Sequence, residues 1–273
     1  MIERTFQLCK GMGPWREKAL WAQGIAEWED FLAAKRAGAI IVSGPVDAAL
    51  EAAIKAGQSA IEASDVQALA AMVPKREHWR LYRRFADQTA FIDIEAGHDR
   101  EISVVGVMDA AGVASFISPH TTDECQARLA RSDVWVTFNG ASFDVPMLLA
   151  RFPNLEIPRV HLDLRPLLGR AGHHGGLKDI EEALGLNRPA HLKGLAGLDA
   201  IALWSEYQRS HRIESLRLLV EYNLYDVIGL RTLLDLCIER LSELNAWDQR
   251  RAPIFDRGDV LYDVSKLLLA LAP

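Results

Sequence analysis

The sequence predicts an α/β fold: a mixed five-stranded sheet with flanking helices, preceded by a small all-helical segment. Three observations predict it. The apolar residues change near residue 85 from helical spacing to short runs, three of those runs follow one another with turns between them, and strand-like and helix-like stretches then alternate. The segment boundaries fall at 1–72 for the helical part, 73–87 for a basic linker helix, 88–240 for the α/β domain and 241–273 for a C-terminal helical extension.

From Pro14 to about Met72 the chain is rich in Ala, Glu and Trp at helical spacing and reads as several short helices. In L-C-K-G-M-G-P-W-R-E-K-A-L two glycines precede a helix that starts with Pro14, a residue favoured in the first turn, and a second helix follows Gly24. Trp15, Trp21 and Trp28 are expected in the core of this unit, because a small domain needs large side chains to bury enough area. Residues 75–84, K-R-E-H-W-R-L-Y-R-R, set five basic side chains against one acidic. Basic residues mixed with aromatics can grip a nucleic-acid strand, but an amphipathic helix with Trp79 and Tyr82 packed inward is the preferred reading. That leaves Arg80, Arg83 and Arg84 as candidate phosphate contacts.

Beyond Asp87, residues 89–95, 101–109 and 112–118 read as three strands, the second and third joined as a hairpin. A helix near 121–131, a buried strand V-W-V-T-F-N, a helix from about Phe143 and a strand R-V-H-L-D near 159–163 follow, and the last third is mostly helical. Apolar residues make up 49% and charged residues 25%, as in an ordinary globular protein, which excludes disordered and collagen-like chains. The opening lacks an apolar signal core and no span of membrane length occurs, so neither export nor a membrane partner is expected and a cytoplasmic location is. Cys9, Cys125 and Cys237 are far apart and never in C-x-x-C spacing, so three buried reduced thiols are expected rather than disulfides or a zinc site. A net charge of −6 lacks the basic footprint common in nucleic-acid binders, yet clustered metal-binding carboxylates would themselves be acidic.

Chemistry gathers at four acids and a tyrosine. Asp93 and Glu95 are two apart on a strand, so both point to one face and can share a cation; on an apolar strand they would otherwise repel and suffer desolvation. Asp144 follows N-G-A-S-F where a buried strand ends and a helix begins, a place where ligands of open sheets bind, although an acid there also suits the helix dipole. Tyr222 and Asp226 are four apart in a helical pattern and share a face; alone they could be a core tyrosine beside a surface acid. Hard oxygen ligands with no Cys or His cluster suit Mg²⁺ or Mn²⁺.

The motifs F-I-D-I-E, F-N-G-A-S-F-D and E-Y-N-L-Y-D, in that order, resemble the exonuclease motifs of the DEDD family, and the Y-x-x-x-D ending resembles its tyrosine-bearing branch. Residues 76–232 further resemble the YprB-type branch of ribonuclease H-like proteins, through H-W-R-L-Y-R-R-F, F-N-G-A-S-F-D-V-P-M-L and H-L-D-L-R-P-L-L-G-R-A-G-H-H-G-G-L-K-D-I-E-E-A-L-G-L. The resemblance implies a ribonuclease H-like fold and two divalent cations. Asp93 would be shared between them, Glu95 and Asp226 would complete the catalytic-water side, and Asp144 would hold the second ion. Tyr222 would orient the water, since a phenol with a pKa near ~10 positions better than it accepts a proton. Asp163 is expected to be structural.

Residues 8–20 resemble a helix-hairpin-helix unit, in which a glycine turn holds phosphate through backbone N–H groups, with Lys10, Gly11, Gly13, Arg16 and Lys18 as contacts. Plain packing is the alternative for that turn. His98, His173 and His174 read as loop residues, while His174 and Lys178 are candidates to face the scissile strand. Many members of the family it resembles carry a Thr-Thr-Gly-like turn where this chain has Ala96-Gly97-His98, which bears on contacts to the terminal nucleotide. The expected activity is 3′ to 5′ exonucleolytic hydrolysis of single-stranded DNA or RNA. A structure-directed endonuclease on the same fold and a non-cleaving nucleic-acid-binding or scaffold module are the alternatives.

Overall fold

A computed structural model describes residues 1–119, 122–245, 247, 253–257 and 267–269. Most of the expected extension over 241–273 therefore lies outside the described residues. The chain forms two compact units, Met1–Ala86 with Pro158–Val160, and Asp87–Ile157 with His161–Pro273. No helix among the described residues is long and apolar enough to cross a membrane.

The first unit contains α1 (Pro14–Ala22), α2 (Trp28–Arg36), α3 (Gly44–Glu62), α4 (Val66–Met72) and a 3₁₀ stretch over Lys75–Arg84. Pro14 starts α1 after an extended Gly13, and the Asp65 carboxylate caps α4 by accepting from Ala68 N at 2.8 Å. Phe6, Trp28, Phe31, Leu50, Ile54 and Leu69 fill the core. Buried charge is also built in. Glu17, 2% exposed, accepts from Thr5 Oγ1, Phe6 N and Gln7 Nε2 at 2.7–2.8 Å and takes a two-pronged ion pair from Arg80 at 2.9 and 3.1 Å.

Several expectations change in this unit. Upstream of the glycines stands only a three-residue 3₁₀ turn, Ile2–Arg4, so the turn is not flanked by two helices. Trp15 is 79% exposed, because the buried face of the short α1 is used by Glu17 and Leu20. All of the 73–87 stretch but Asp87 groups with the helical unit, and within it Trp79 and Tyr82 are buried as expected. Arg80 is buried too, paired with Glu17 and Glu77 and stacked near Trp21 and Trp79, so it presents no guanidinium to a phosphate. Arg83 is half-buried and Arg84 exposed. Cys125 and Cys237 are buried, but Cys9 is only half-buried.

The second unit is built on a five-stranded sheet in the order β3-β2-β1-β4-β5, with β1 Thr89–Ala96, β2 Ile102–Asp109, β3 Gly112–Ile117, β4 Val134–Thr137 and β5 Val160–Asp163. β1 pairs antiparallel with β2 and parallel with β4, and β2 pairs antiparallel with β3, so the sheet is mixed. α5 (Thr122–Leu129), α6 (Asp144–Arg151), α7 (Leu164–Arg170), α8 (Leu177–Ala183), α9 (Gly197–Ser210) and α10 (Ile213–Leu244) flank it. β4 ends earlier than the sequence suggests, before Asn139, which takes a positive φ of 60° and turns the chain out of the sheet.

Alternation on β1 separates two environments. Ala90, Ile92 and Ile94 enter an apolar cluster with Val105, Val107, Phe116, Leu129, Trp135 and Leu148. Asp93 and Glu95 therefore project to the other face, and α10 packs on β1 and β2. That packing is close at Gly106, the strand partner of Asp93, where a Cβ would overlap the side chains of Asn223 and Val227. A lone glycine in an apolar strand is here a mark of close approach.

Candidate metal centre in the sheet domain

Three carboxylates meet. Ligand oxygens of Asp93, Glu95 and Asp226 all lie within 4.8 Å of one another, the first two carried by β1 and the third by α10. Glu95 and Asp226 are 8% and 5% exposed. Asn223, one helical turn before Asp226, donates through Nδ2 to Asp93 Oδ2 at 2.8 Å and to the Asp93 carbonyl at 3.1 Å, which fixes the first acid against the helix. Asp144 is the first residue of α6 and is buried, but its Oδ1 accepts from Ile94 N at 3.2 Å. It stands beside the trio rather than within it.

The electrostatics follow from crowding in a dry site. Burial, followed by repulsion from Asp226, Glu95 and Asp144, holds the Asp93 carboxyl well above the usual carboxylate range. Burial, followed by Asp226, raises Glu95 to about 8, and burial raises Asp144 to about 7. Burial also raises Asp226, against the pull of Arg188 and Lys178. A divalent cation would relieve this repulsion, and an all-carboxylate set suits a hard ion such as Mg²⁺ or Mn²⁺. These residues fit a metal.

Tyr222 lies one turn before Asp226 on α10, 6% exposed. Burial and the neighbouring acids push its phenol upward, so it remains a protonated donor. Lys178 on α8 has its Nζ 4.5 Å from the Tyr222 ring centre and donates to the Leu195 carbonyl; burial lowers its pKa. His174 is exposed in the loop before α8, and His98 is exposed after β1. Asp163 caps α7 and accepts from Asn139 N at 2.8 Å, Ala141 N at 3.2 Å and Arg165 N at 3.1 Å, a structural set of bonds.

Sequence reasoning missed Arg188 and Asn223. The Arg188 guanidinium donates to Asp226 Oδ1 and, through Nε at 2.8 Å, to Glu181 Oε2; Glu181 also lies 3.5 Å from Arg257. No motif marks Arg188, which sits in the irregular stretch after α8. Asn223 had a signal, an amide one turn before an acid and adjacent to the tyrosine.

A family model described as the RNase_H superfamily matches residues 90–238, more than half of the chain. The protein belongs to that superfamily, whose fold agrees with the mixed sheet and whose members include nucleases acting on nucleic acid. No curated protein and no solved structure matches the chain.

Proposed function

We propose that the protein is a metal-dependent 3′ to 5′ exonuclease of the tyrosine-bearing DEDD branch and YprB type, acting on single-stranded DNA or RNA. The observation that carries this reading is the convergence of Asp93, Glu95 and Asp226 within 4.8 Å in a domain of the RNase_H superfamily. Two Mg²⁺ or Mn²⁺ ions are the proposed cofactors, with Asp93, Glu95 and Asp226 at one and Asp93 with Asp144 at the other. Bound there, they would supply the charge that activates a water and neutralises the leaving 3′ oxygen.

The remaining roles belong to the chain. Asn223 holds Asp93 in place, so the strand acid keeps one orientation as the other groups gather. Tyr222 donates a hydrogen bond that orients the attacking water; its raised pKa supports positioning rather than proton abstraction. Lys178 and His174 are proposed to meet the scissile strand. Lys10, Gly11, Gly13, Arg16, Lys18, Arg83 and Arg84 are proposed as a phosphate handle for longer substrates; Arg16 already spends one N–H on the Gly11 carbonyl at 2.7 Å.

Digestion of 5′-labelled and 3′-labelled DNA and RNA oligonucleotides, with Mn²⁺, with Mg²⁺ and with a chelator, tests this reading. A metal-dependent ladder that shortens from the 3′ end is expected. Internal cuts at a structural junction would instead indicate an endonuclease, and binding without cleavage in any metal would indicate a scaffold.

A further inference from the structure

Beside the carboxylates lies a cavity of about 240 Å³, bordered by Lys178, Arg188 and Lys193 together with Glu181, Glu182 and Leu192. It is much larger than one water's share of liquid volume, ~30 Å³. Two of its cations also face the acid cluster, since Arg188 pairs with Asp226 and Lys178 lies over the Tyr222 ring. The cavity's own acids leave those cations partly unspent. Glu181 is 2% exposed and shared between Arg188 and Arg257, and Glu182 is exposed.

Arg188 carries the decisive detail. Its side chain is 7% exposed, and while Nε and Nη2 bond to Glu181 and Asp226, Nη1 is buried with no acceptor among the described residues. An unsatisfied donor on a buried guanidinium is costly, and a planar fork with one prong unused matches the geometry of a phosphate. Among the described residues no acceptor engages that prong.

We propose that this cavity is a phosphate subsite of the nuclease centre, in which Arg188 Nη1 donates to a non-bridging oxygen of the bound strand and Lys178 adds charge from the Tyr222 side. Arg188 thereby links the metal ligand Asp226 to the substrate phosphate, and Lys193, exposed at the rim, contributes only long-range attraction. The subsite rests on the nuclease reading, because its ligand is a strand phosphate delivered to the carboxylates.

Calorimetric titration of the full chain in saturating Mn²⁺ tests it with three probes: thymidine 5′-monophosphate, thymidine and inorganic phosphate. The nucleotide should bind the wild type at least about tenfold more tightly than either of the other two. Arg188→Gln should lose about tenfold or more of nucleotide affinity while its Mn²⁺ affinity changes less than about threefold; Lys193→Ala should lose less than threefold. Arg188→Lys, which keeps the charge and the fold's main ion pair but not the fork, should fall between them. Equal nucleotide affinity in wild type and both Arg188 variants would overturn the subsite. So would a matched loss of Mn²⁺ affinity, which would make Arg188 a support of the metal ligand Asp226 only, and so would thymidine binding as tightly as the nucleotide. A wild type that digests oligonucleotides yet shows any of these results defeats only the subsite. A wild type that neither digests nor binds defeats the nuclease reading with it.

Discussion

Each unit of the protein buries a cluster of ionic groups, and the two clusters are balanced in opposite ways. In the helical unit Glu17 is surrounded by three neutral donors and the Arg80 fork, and Arg80 reaches Glu77 as well. In the sheet unit Asp93, Glu95 and Asp226 crowd within 4.8 Å, and Arg188 pairs with Asp226 alone of the three. The first arrangement is complete as it stands. The second sets three buried acids against the Arg188 pair, and burial pushes all three carboxyls upward, with repulsion from neighbouring acids adding to it at Asp93 and Glu95. Buried charge that is matched holds a fold together, whereas buried charge in excess marks a place built for something positive.

The largest contrast should come from neutralising one acid in each cluster. Asp93→Asn removes repulsion, so the metal-free protein should unfold at the same or a higher temperature, while cleavage falls on the order of 1,000-fold or more. Glu17→Gln removes one of the two carboxylates paired with buried Arg80 and should cost about 3 to 5 kcal/mol in chemical denaturation. If both substitutions destabilise alike, the two clusters are the same kind of object and the comparison fails.

Smaller effects sharpen it. Tyr222→Phe should lower turnover by roughly 10- to 1,000-fold with metal affinity and melting temperature preserved, as for loss of one positioning hydrogen bond. Full activity on every substrate would remove the tyrosine from the mechanism. The metal-free protein should lose stability as pH rises from about 4.5 to about 8, because Glu95 stays protonated in the fold up to about 8 yet ionises near 4.5 once unfolded. Asp93→Asn should flatten that slope, and a wild-type stability that rises over this range would contradict the raised carboxyls. Asp163→Ala should cost about 1 to 2 kcal/mol through the lost cap and leave cleavage intact, as measured by denaturation and by single-turnover digestion.

Much of the sheet domain was legible because its signals are local. Asp93 and Glu95 share a strand face by alternation, Tyr222 and Asp226 share a helix face by spacing, and the apolar runs around them locate β1 and α10. Gly106 was legible in principle, as an isolated glycine inside an apolar strand. Arg188 was not, since its partners Asp226 and Glu181 come from different helices and nothing periodic surrounds it. Asp144 shows the same limit from the other side: its strand-end position was readable, but the Ile94 N–H that engages it belongs to a strand 50 residues earlier. In the helical unit, spacing marked Trp15, Trp21 and Trp28 alike, and only the packed fold separates exposed Trp15 from buried Trp28. Arg80 looked like surface charge because its partner Glu17 lies 63 residues away.

Titration of Mn²⁺ into metal-free protein at pH 6 and at pH 8, followed by calorimetry, bears most directly on the claim that the sheet-domain acids hold excess charge for a cation. Saturable binding that tightens at the higher pH, with protons released on binding at the lower one and affinity lost in Asp93→Asn, is the predicted result. Heats that never saturate, or an affinity indifferent both to pH and to Asp93→Asn, would contradict it.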